Sequence, residues 1–224
     1  MKVLTWLLAL VLLSNTVFAS ISEKPRIETY KLKNGLTVIL KEDHRQPKVF
    51  GVVITKAGAK DDPADATGMA HYQEHMLFKG TQTLGTTNWE KEKPHIDKIF
   101  SLYDQLAEAE NDSARKAIQT QINKESLEAG KYSILNETSF LINAMGGTRL
   151  NAGTGPDQTI FYNQFPPNQI EKWLDLYAER FYKPVFRTFQ SELEVVYEEK
   201  NLYDDQFFTG LIEAFNKEFF ILSI

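Results

Sequence analysis

The stretch GMAHYQEHMLFKGT, residues 68–81, is the most informative part of this 224-residue chain. Its apolar residues recur at the spacing of an α-helix: Met69, Tyr72, Met76 and Phe78. On such a helix His71 and His75 lie one turn apart and point to the same side, and Glu74 lies beside them. We therefore predict a short helix that presents two imidazoles and a carboxylate together.

These three side chains are the types that a zinc peptidase needs. Two histidines so placed can bind one tetrahedral Zn²⁺, which takes three protein ligands and keeps an open position for water. A carboxylate at Glu74 can accept the proton of that water as it attacks a carbonyl group. A lone histidine pair on a helix is more often solvated or part of a core, so the flanking residues decide the interpretation.

The whole run resembles the zinc-binding helix of the M16 peptidases, the pitrilysin or inverzincin family, whose motif is His-x-x-Glu-His. The resemblance implies a zinc-dependent endopeptidase that acts on peptides or small unfolded proteins. It makes His71 and His75 zinc ligands and Glu74 the general base. The chain contains no cysteine, so any Zn²⁺ must be held by histidines and carboxylates.

The composition is that of a globular protein with a mildly acidic formal charge of −5. No basic tract stands out, so we expect no nucleic-acid partner. Residues 1–19 predict a secretory signal peptide, with a positive start, an apolar run and a Val-Phe-Ala cleavage site. This predicts a periplasmic or secreted protein with no stable membrane span after cleavage. An uncleaved N-terminal anchor helix is the alternative.

Residues 20–224 are predicted to form one N-terminal M16-like peptidase domain of the α+β class. We expect a mainly antiparallel sheet with helices packed on one face. Asn34-Gly35 predicts a β-hairpin, and strands at 36–40 and 49–55 are expected to form one edge of that sheet. A strand at 159–163 then leads to a helix with a predicted core face: Ile170, Trp173, Leu174, Tyr177 and Phe181.

In residues 87–129, apolar residues recur at helical spacing with charged residues between them. This pattern predicts an inserted helical hairpin. The sequence Asn111-Asp112-Ser113 breaks its periodicity and separates the two helices. Capping boxes are predicted at Thr87–Glu90, where the hairpin begins, and at Ser191–Glu194, near the end of the chain. The hairpin has no evident catalytic chemistry, and we interpret its His95 as a solvated residue.

Residues 146–154 resemble the M16 segment in which an Asn-Ala dipeptide lies on an edge strand. In that family the strand pairs with the backbone of an extended substrate, a mode that needs a free edge and small side chains. The resemblance makes Asn151 and Ala152 substrate-binding residues. An ordinary glycine loop is the alternative interpretation.

Residues 191–201 read SELEVVYEEKN and resemble the second M16 motif. In that motif a glutamate seven positions before the ligand glutamate lies close to the site. Matched residue by residue, Glu199 is the third zinc ligand and Glu192 is a supporting carboxylate that orients a ligand histidine. Glu198 is the competing candidate. Helical spacing places Glu199 on the same side as Val195 and Val196, which favours Glu199.

The resemblance covers only the first of the two related α/β domains that M16 catalytic units contain. We therefore expect a second M16 domain or a partner subunit, and zinc binding with poor peptide hydrolysis by this chain alone. His75 and Glu199 lie 124 positions apart, which is long for the family, and the hairpin at 87–129 explains the excess. The alternatives are a non-catalytic M16-like peptide-binding or scaffold subunit, or a fragment that needs a partner chain for activity.

Overall fold

The structure is a computed structural model that describes residues 26–204, together with Leu211 and Phe215. The predicted signal peptide, residues 1–19, therefore lies outside the described residues. The chain divides into two compact units, with the boundary between Pro47 and Lys48. Within the described part, no helix has the length and apolar character needed to cross a membrane.

The first unit is a β-hairpin of β1 (Ile27–Lys31) and β2 (Thr37–Lys41), paired antiparallel with Ile27 opposite Lys41. The amide of Gly35 donates a hydrogen bond of 3.0 Å to the carbonyl of Leu32 and closes a tight turn. Gly35 has a φ of +92°, which a residue with a Cβ rarely adopts. The hairpin predicted from Asn34-Gly35 is confirmed.

The second unit contains a three-stranded antiparallel sheet in the order β3 (Val49–Thr55), β5 (Thr159–Phe165), β4 (Thr148–Thr154). The expectation that the early strands form one sheet edge was wrong, because β1 and β2 pair with each other while β3 pairs with β5. In this register Val53 lies opposite Phe161, so that β3 completes a core face. Local sequence patterns cannot predict that β3 pairs with β5, because about a hundred residues separate the two strands.

Six helices accompany the strands in the described part of the chain: α1 (Met69–Met76), α2 (Trp89–Glu108), α3 (Asp112–Gly130), α4 (Glu137–Ala144), α5 (Ile170–Tyr182) and α6 (Phe189–Asp204). Short 3-10 helices lie at Ala59–Asp61 and Pro167–Gln169. The main core joins one face of β5 to α5 and α4, through Phe161, Phe165, Trp173 and Ile142. The predicted α+β class, with helices on one face of an antiparallel sheet, is confirmed.

Helix α5 packs through three of its five predicted core residues: Trp173, Tyr177 and Phe181. Trp173 and Tyr177 are buried as expected, and both donate hydrogen bonds to the Oδ1 of Asn163, at 2.7 and 2.8 Å. Ile170 and Leu174, however, are 43% and 53% exposed. The buried row instead continues through Leu176 to Arg180, so a guanidinium occupies a position where an apolar side chain is the usual choice.

The predicted helical hairpin is present as α2 and α3, which pack on each other through their own core: Ile96, Ile99, Leu102, Ile122 and Ala129. The cap of α2 is Asn88 rather than Thr87, since the Asn88 side chain accepts from the Lys91 amide at 3.1 Å. His95 is only half-exposed and pairs with Glu125 of α3 at 2.7 Å. Helix α4 was not predicted.

Helix α6 begins at Phe189, two residues before the predicted cap at Ser191. The amide of Glu192 already donates to the carbonyl of Thr188, so Ser191 lies within the first turn. The interpretation of Ser191 as a cap was therefore wrong. The pattern Ser-x-x-Glu at residues 191–194 also fits the interior of a first helical turn. For this reason it gave the wrong position for the cap.

Candidate metal centre

Helix α1 carries the two histidines and is fixed at both ends. At its start, the carboxylate of Asp62 accepts hydrogen bonds from the amides of Gly68 and Ala70, at 2.8 and 2.7 Å. These bonds satisfy amides that a helix leaves unpaired, and the negative charge suits the positive end of the helix dipole. After the helix, Gly80 has a φ of +95°, and a Cβ there would lie 2.3 Å from the Leu84 carbonyl oxygen. Only glycine fits this turn.

The structure brings His71, His75 and Glu199 together. The Nε2 atoms of His71 and His75 lie 3.5 and 3.4 Å from the same oxygen, Oε2 of Glu199. The two rings are 4.9 Å apart, centre to centre, and nearly perpendicular. One ligand atom from each of the three residues lies within 4.8 Å of the others, and all three residues are half-buried.

This geometry fits a zinc ion. Zinc holds imidazole nitrogens and carboxylate oxygens at about 2.0–2.1 Å, so tetrahedral ligands lie roughly 3.3–3.5 Å from one another. The observed separations of 3.5 and 3.4 Å match that spacing. They exceed the usual 2.7–3.2 Å range of N–H···O hydrogen bonds. Two ring nitrogens that face one carboxylate oxygen at this spacing could share a cation.

Helix α6 presents Glu199, not Glu198, to the histidines. Glu192, Val196 and Glu199 follow one another by four and three residues, so they share one side of the helix. Val196 is buried against Tyr72 of α1. Glu198 is exposed, and so is Val195, which had been expected on the inner side.

Glu192 lies beside His75. Its Oε2 is 3.3 Å from the Nδ1 of His75, and its Oε1 accepts a short hydrogen bond from the Nζ of Lys79. The side chains of Glu192 and Lys79 are only 16% and 20% exposed. A carboxylate at Nδ1 sets the ring orientation and leaves Nε2 facing Glu199.

Glu74 points to the other side of the histidines, toward the sheet. It is 8% exposed, and its Oε2 accepts a hydrogen bond of 2.7 Å from the hydroxyl of Thr154, at the end of β4. This bond fixes the orientation of the carboxylate next to His75. A buried, oriented carboxylate beside the metal ligands has the placement that a general base requires.

Arg180 lies behind the same helix and is fully buried. Its Nε donates to the carbonyl of Leu77 at 2.7 Å, and its guanidinium lies 3.9 Å from the centre of the Phe78 ring. Burial lowers the pKa of Arg180 to about 10, an effect that Tyr177 and Glu74 oppose. The guanidinium thus anchors the end of α1 and adds a positive charge beneath the carboxylate side of the site.

Strand β4 is an edge strand, since it pairs with β5 alone among the described strands. Asn151 is exposed and Ala152 is half-buried; the Asn151 Nδ2 donates to the Tyr162 hydroxyl at 3.3 Å. The strand is irregular between Thr148 and Asn151, where Arg149 has a φ of +54°. Because Thr154 of this strand contacts Glu74, the free edge leads directly to the candidate metal centre.

Sequence reasoning missed several residues of this centre. Thr154 lies in a segment that was singled out, but nothing local linked it to Glu74, 80 positions earlier. Lys79 follows the histidine helix in sequence. Its positive charge, opposite in sign to that of Glu192, is the one sequence signal that could have indicated this ion pair. The buried Arg180 gave no signal, because a charged residue on an amphipathic helix is normally solvated.

The chain is similar in sequence to known peptidases. The family model described as insulinase, peptidase family M16, matches residues 37–94 and 125–220. The unmatched residues 95–124 lie inside the helical hairpin. The chain is 24% identical to the insulin-degrading enzyme of Drosophila melanogaster over 199 residues, which are 87% of this chain and 15% of that protein. It is also 36% identical to an uncharacterized zinc protease of Rickettsia felis over 83 residues, 36% of this chain and 19% of that protein.

A solved structure, a protease from Helicobacter pylori, shares the fold with a TM-score of 0.60 and 22% identity. The similarity covers 86% of this chain and 35% of that one. The matched segments thus cover 15–35% of the length of these three proteins.

Proposed function

This chain belongs to peptidase family M16, the insulinase family, and on that basis we propose that it forms the zinc-binding part of a zinc-dependent endopeptidase. The observation that carries the proposal is the convergence of His71 and His75 on one oxygen of Glu199, at 3.5 and 3.4 Å. Two imidazoles and one carboxylate would hold zinc with three protein ligands, the number found in catalytic zinc sites. When bound there, zinc lowers the pKa of a coordinated water toward neutrality and polarises a substrate carbonyl.

The protein's own residues carry the proton transfers. Glu74 accepts a proton from the attacking water and later returns it to the leaving amine. The Thr154 hydroxyl keeps the Glu74 carboxylate in place for both transfers. Glu192 holds His75 by its Nδ1, and Lys79 balances the charge of Glu192.

We propose that the substrate is an extended peptide that pairs with the free edge of β4 at Asn151 and Ala152. Main-chain pairing of this kind is tolerant of sequence, since it reads backbone groups rather than side chains. It suits an enzyme that acts on peptides or unfolded proteins. We also propose that the protein is exported to the periplasm or the medium, as residues 1–19 predict.

A second candidate function is a non-catalytic peptide-binding or scaffold subunit. The edge strand β4, which pairs with β5 alone among the described strands, is sufficient for that function. The assembled donor set and the oriented Glu74 favour the peptidase, because neither is needed to bind a peptide. We therefore propose that hydrolysis requires a second M16 domain, in the same protein or in a partner subunit, and that the metal chemistry resides in this chain.

Metal analysis of the parent protein and of two histidine variants tests the proposed metal centre. The purified protein should contain about one zinc per chain, and His71→Ala should lose it because one of three protein ligands is removed. His95→Ala is the matched control, since His95 is also a half-buried histidine paired with a glutamate. It should keep the metal.

Glu74→Gln should keep zinc and lose roughly 10²–10⁴-fold in peptide cleavage when the chain is combined with its second domain or partner. Cleavage is measured with a quenched fluorescent peptide. Absence of zinc in the parent protein would refute the metal centre. Full activity of Glu74→Gln would refute only the proposed role of Glu74 as general base.

A further inference from the structure

Phe189 connects the candidate metal centre to the helical hairpin. Its ring lies 5.2 Å from that of Tyr72, which neighbours His71 on α1, and the Tyr72 hydroxyl donates to the Phe189 carbonyl at 2.6 Å. On its other side, the same ring lies 5.8 Å from Phe100 and 5.2 Å from Tyr103 of α2. These are the distances of edge-to-face aromatic contacts.

Tyr103 makes a second contact with the same segment. Its hydroxyl donates to the Oε1 of Gln190 at 2.7 Å, so α2 holds two successive residues at the start of α6. Phe100 and Tyr103 both lie within residues 95–124, the segment that the M16 family model does not match. The contact is therefore made by a part of the chain that lies outside the family pattern.

The backbone just before Phe189 is strained. Thr188 has a φ of +52°, and its buried hydroxyl oxygen has no hydrogen-bond partner in the described part of the chain. A β-branched residue keeps such a conformation only where its surroundings impose it. Arg187, on the other side of Thr188, is held by both carboxylate oxygens of Glu92 on α2. Helix α2 thus anchors both neighbours of the strained residue.

The position of this segment sets the position of Glu199. Ten residues of α6 separate Phe189 from Glu199, about 15 Å along the helix axis. A tilt of about 5° at the start of α6 therefore moves Glu199 by about 1.3 Å. Metal–ligand distances tolerate only about 0.2 Å, so a small change at Phe189 is large at the metal centre.

We infer that Phe100 and Tyr103 are positioning residues for the metal centre, and that the helical hairpin holds α6 at the angle that brings Glu199 to the histidines. The inference rests on the proposed zinc site. It assigns to the hairpin a role in metal binding although, in the part of the chain that the structure describes, no hydrogen bond, ion pair or ring contact joins the hairpin to the candidate ligands.

The test measures zinc affinity of the full chain by competition with a chromophoric chelator. Phe100→Ala and Tyr103→Ala should each weaken zinc binding about 10–100-fold, the range seen when a supporting residue of a metal site is removed. Leu127→Ala is the matched control, because Leu127 is an apolar residue of the same hairpin with 74% exposure. It should bind zinc as the parent does.

Cobalt substitution separates positioning from plain stability. The visible spectrum of bound Co²⁺ reports coordination geometry, so it should change in Phe100→Ala and Tyr103→Ala and not in Leu127→Ala. Tyr103→Phe keeps the ring and loses only the bond to Gln190, so it should recover most of the affinity. Phe100→Leu and Tyr103→Phe also give milder variants if an alanine variant does not fold.

Two results would overturn the inference. In the first, the parent binds zinc and the hairpin variants keep its affinity within about twofold and its Co²⁺ spectrum, even if they unfold more easily. That result leaves the proposed function intact. In the second, the parent binds no zinc, which removes the proposed metal centre and this inference together.

Discussion

Replacing Arg187 with methionine should destabilise the protein more than any surface substitution, because the Arg187–Glu92 pair is buried. Arg187 is 2% exposed and Glu92 is fully buried. The guanidinium donates to both oxygens of Glu92, at 2.7 and 2.9 Å, and to the carbonyls of Lys79, Thr81 and Leu84 at 2.7–3.1 Å. One side chain thus joins α2 to the loop that follows the histidine helix.

The expected cost follows from what the substitution leaves behind. Arg187→Met strands the Glu92 carboxylate in the interior with one remaining donor, the Ser133 hydroxyl at 3.1 Å. Removing one partner of a buried ion pair costs about 3–5 kcal/mol. We therefore expect the free energy of unfolding to fall by about 4 kcal/mol. Lys93→Met is the control, since it breaks a pair with Asp97 on the same helix whose side chains are 50% and 59% exposed; it should cost about 0.3–0.5 kcal/mol.

Urea unfolding of the zinc-free protein, followed by circular dichroism, measures both values. The double variant Glu92→Met, Arg187→Met should lose less than the sum of the two single variants, by about 2 kcal/mol, because neither charge is then left unpaired. A loss below about 1 kcal/mol for Arg187→Met would refute the reasoning, as would strict additivity of the two substitutions.

Two further predictions concern single residues. The hydroxyls of Thr81 and Thr83 donate to Glu179 at 2.6 and 2.5 Å, and these bonds lower the pKa of Glu179 below its ordinary value of 4.5. The stability that Glu179 contributes is therefore present above its unfolded-state pKa and is lost as pH falls through the lower folded-state pKa. Unfolding measured between pH 7 and pH 3 should show a weaker acid dependence for Glu179→Gln than for the parent, and an unchanged dependence would contradict this. Thr188→Gly should raise the free energy of unfolding by about 0.5–1 kcal/mol in urea titrations, since glycine adopts a positive φ without strain but loses more entropy on folding. A lower value than the parent's would show that Thr188 is not strained.

The order of the strands and the choice of core residues show where sequence reasoning stopped. Hairpin and strand signals near Asn34-Gly35 and in 49–55 are local, and the elements are present. Their pairing is not local, and so the sequence did not predict that β3 pairs with β5. Likewise, the apolar residues of α5 predicted a helix correctly, while packing against Phe161 and Phe165 selected which of its sides is buried.

That a helix presents His71, Glu74 and His75 together could be predicted from local sequence, because residues three and four apart on one helix are neighbours. Local sequence also determined the class of fold, since the period of the apolar residues distinguishes strands from helices. The sequence also favoured Glu199 over Glu198 as the third ligand, but the contact of Glu199 with the histidines is visible only in the folded chain. The contacts of Thr154 with Glu74 and of Phe189 with the hairpin had no signal in the sequence. Those contacts join residues up to 128 positions apart in sequence, and their geometry depends on the packing angle between helices, which no local pattern encodes.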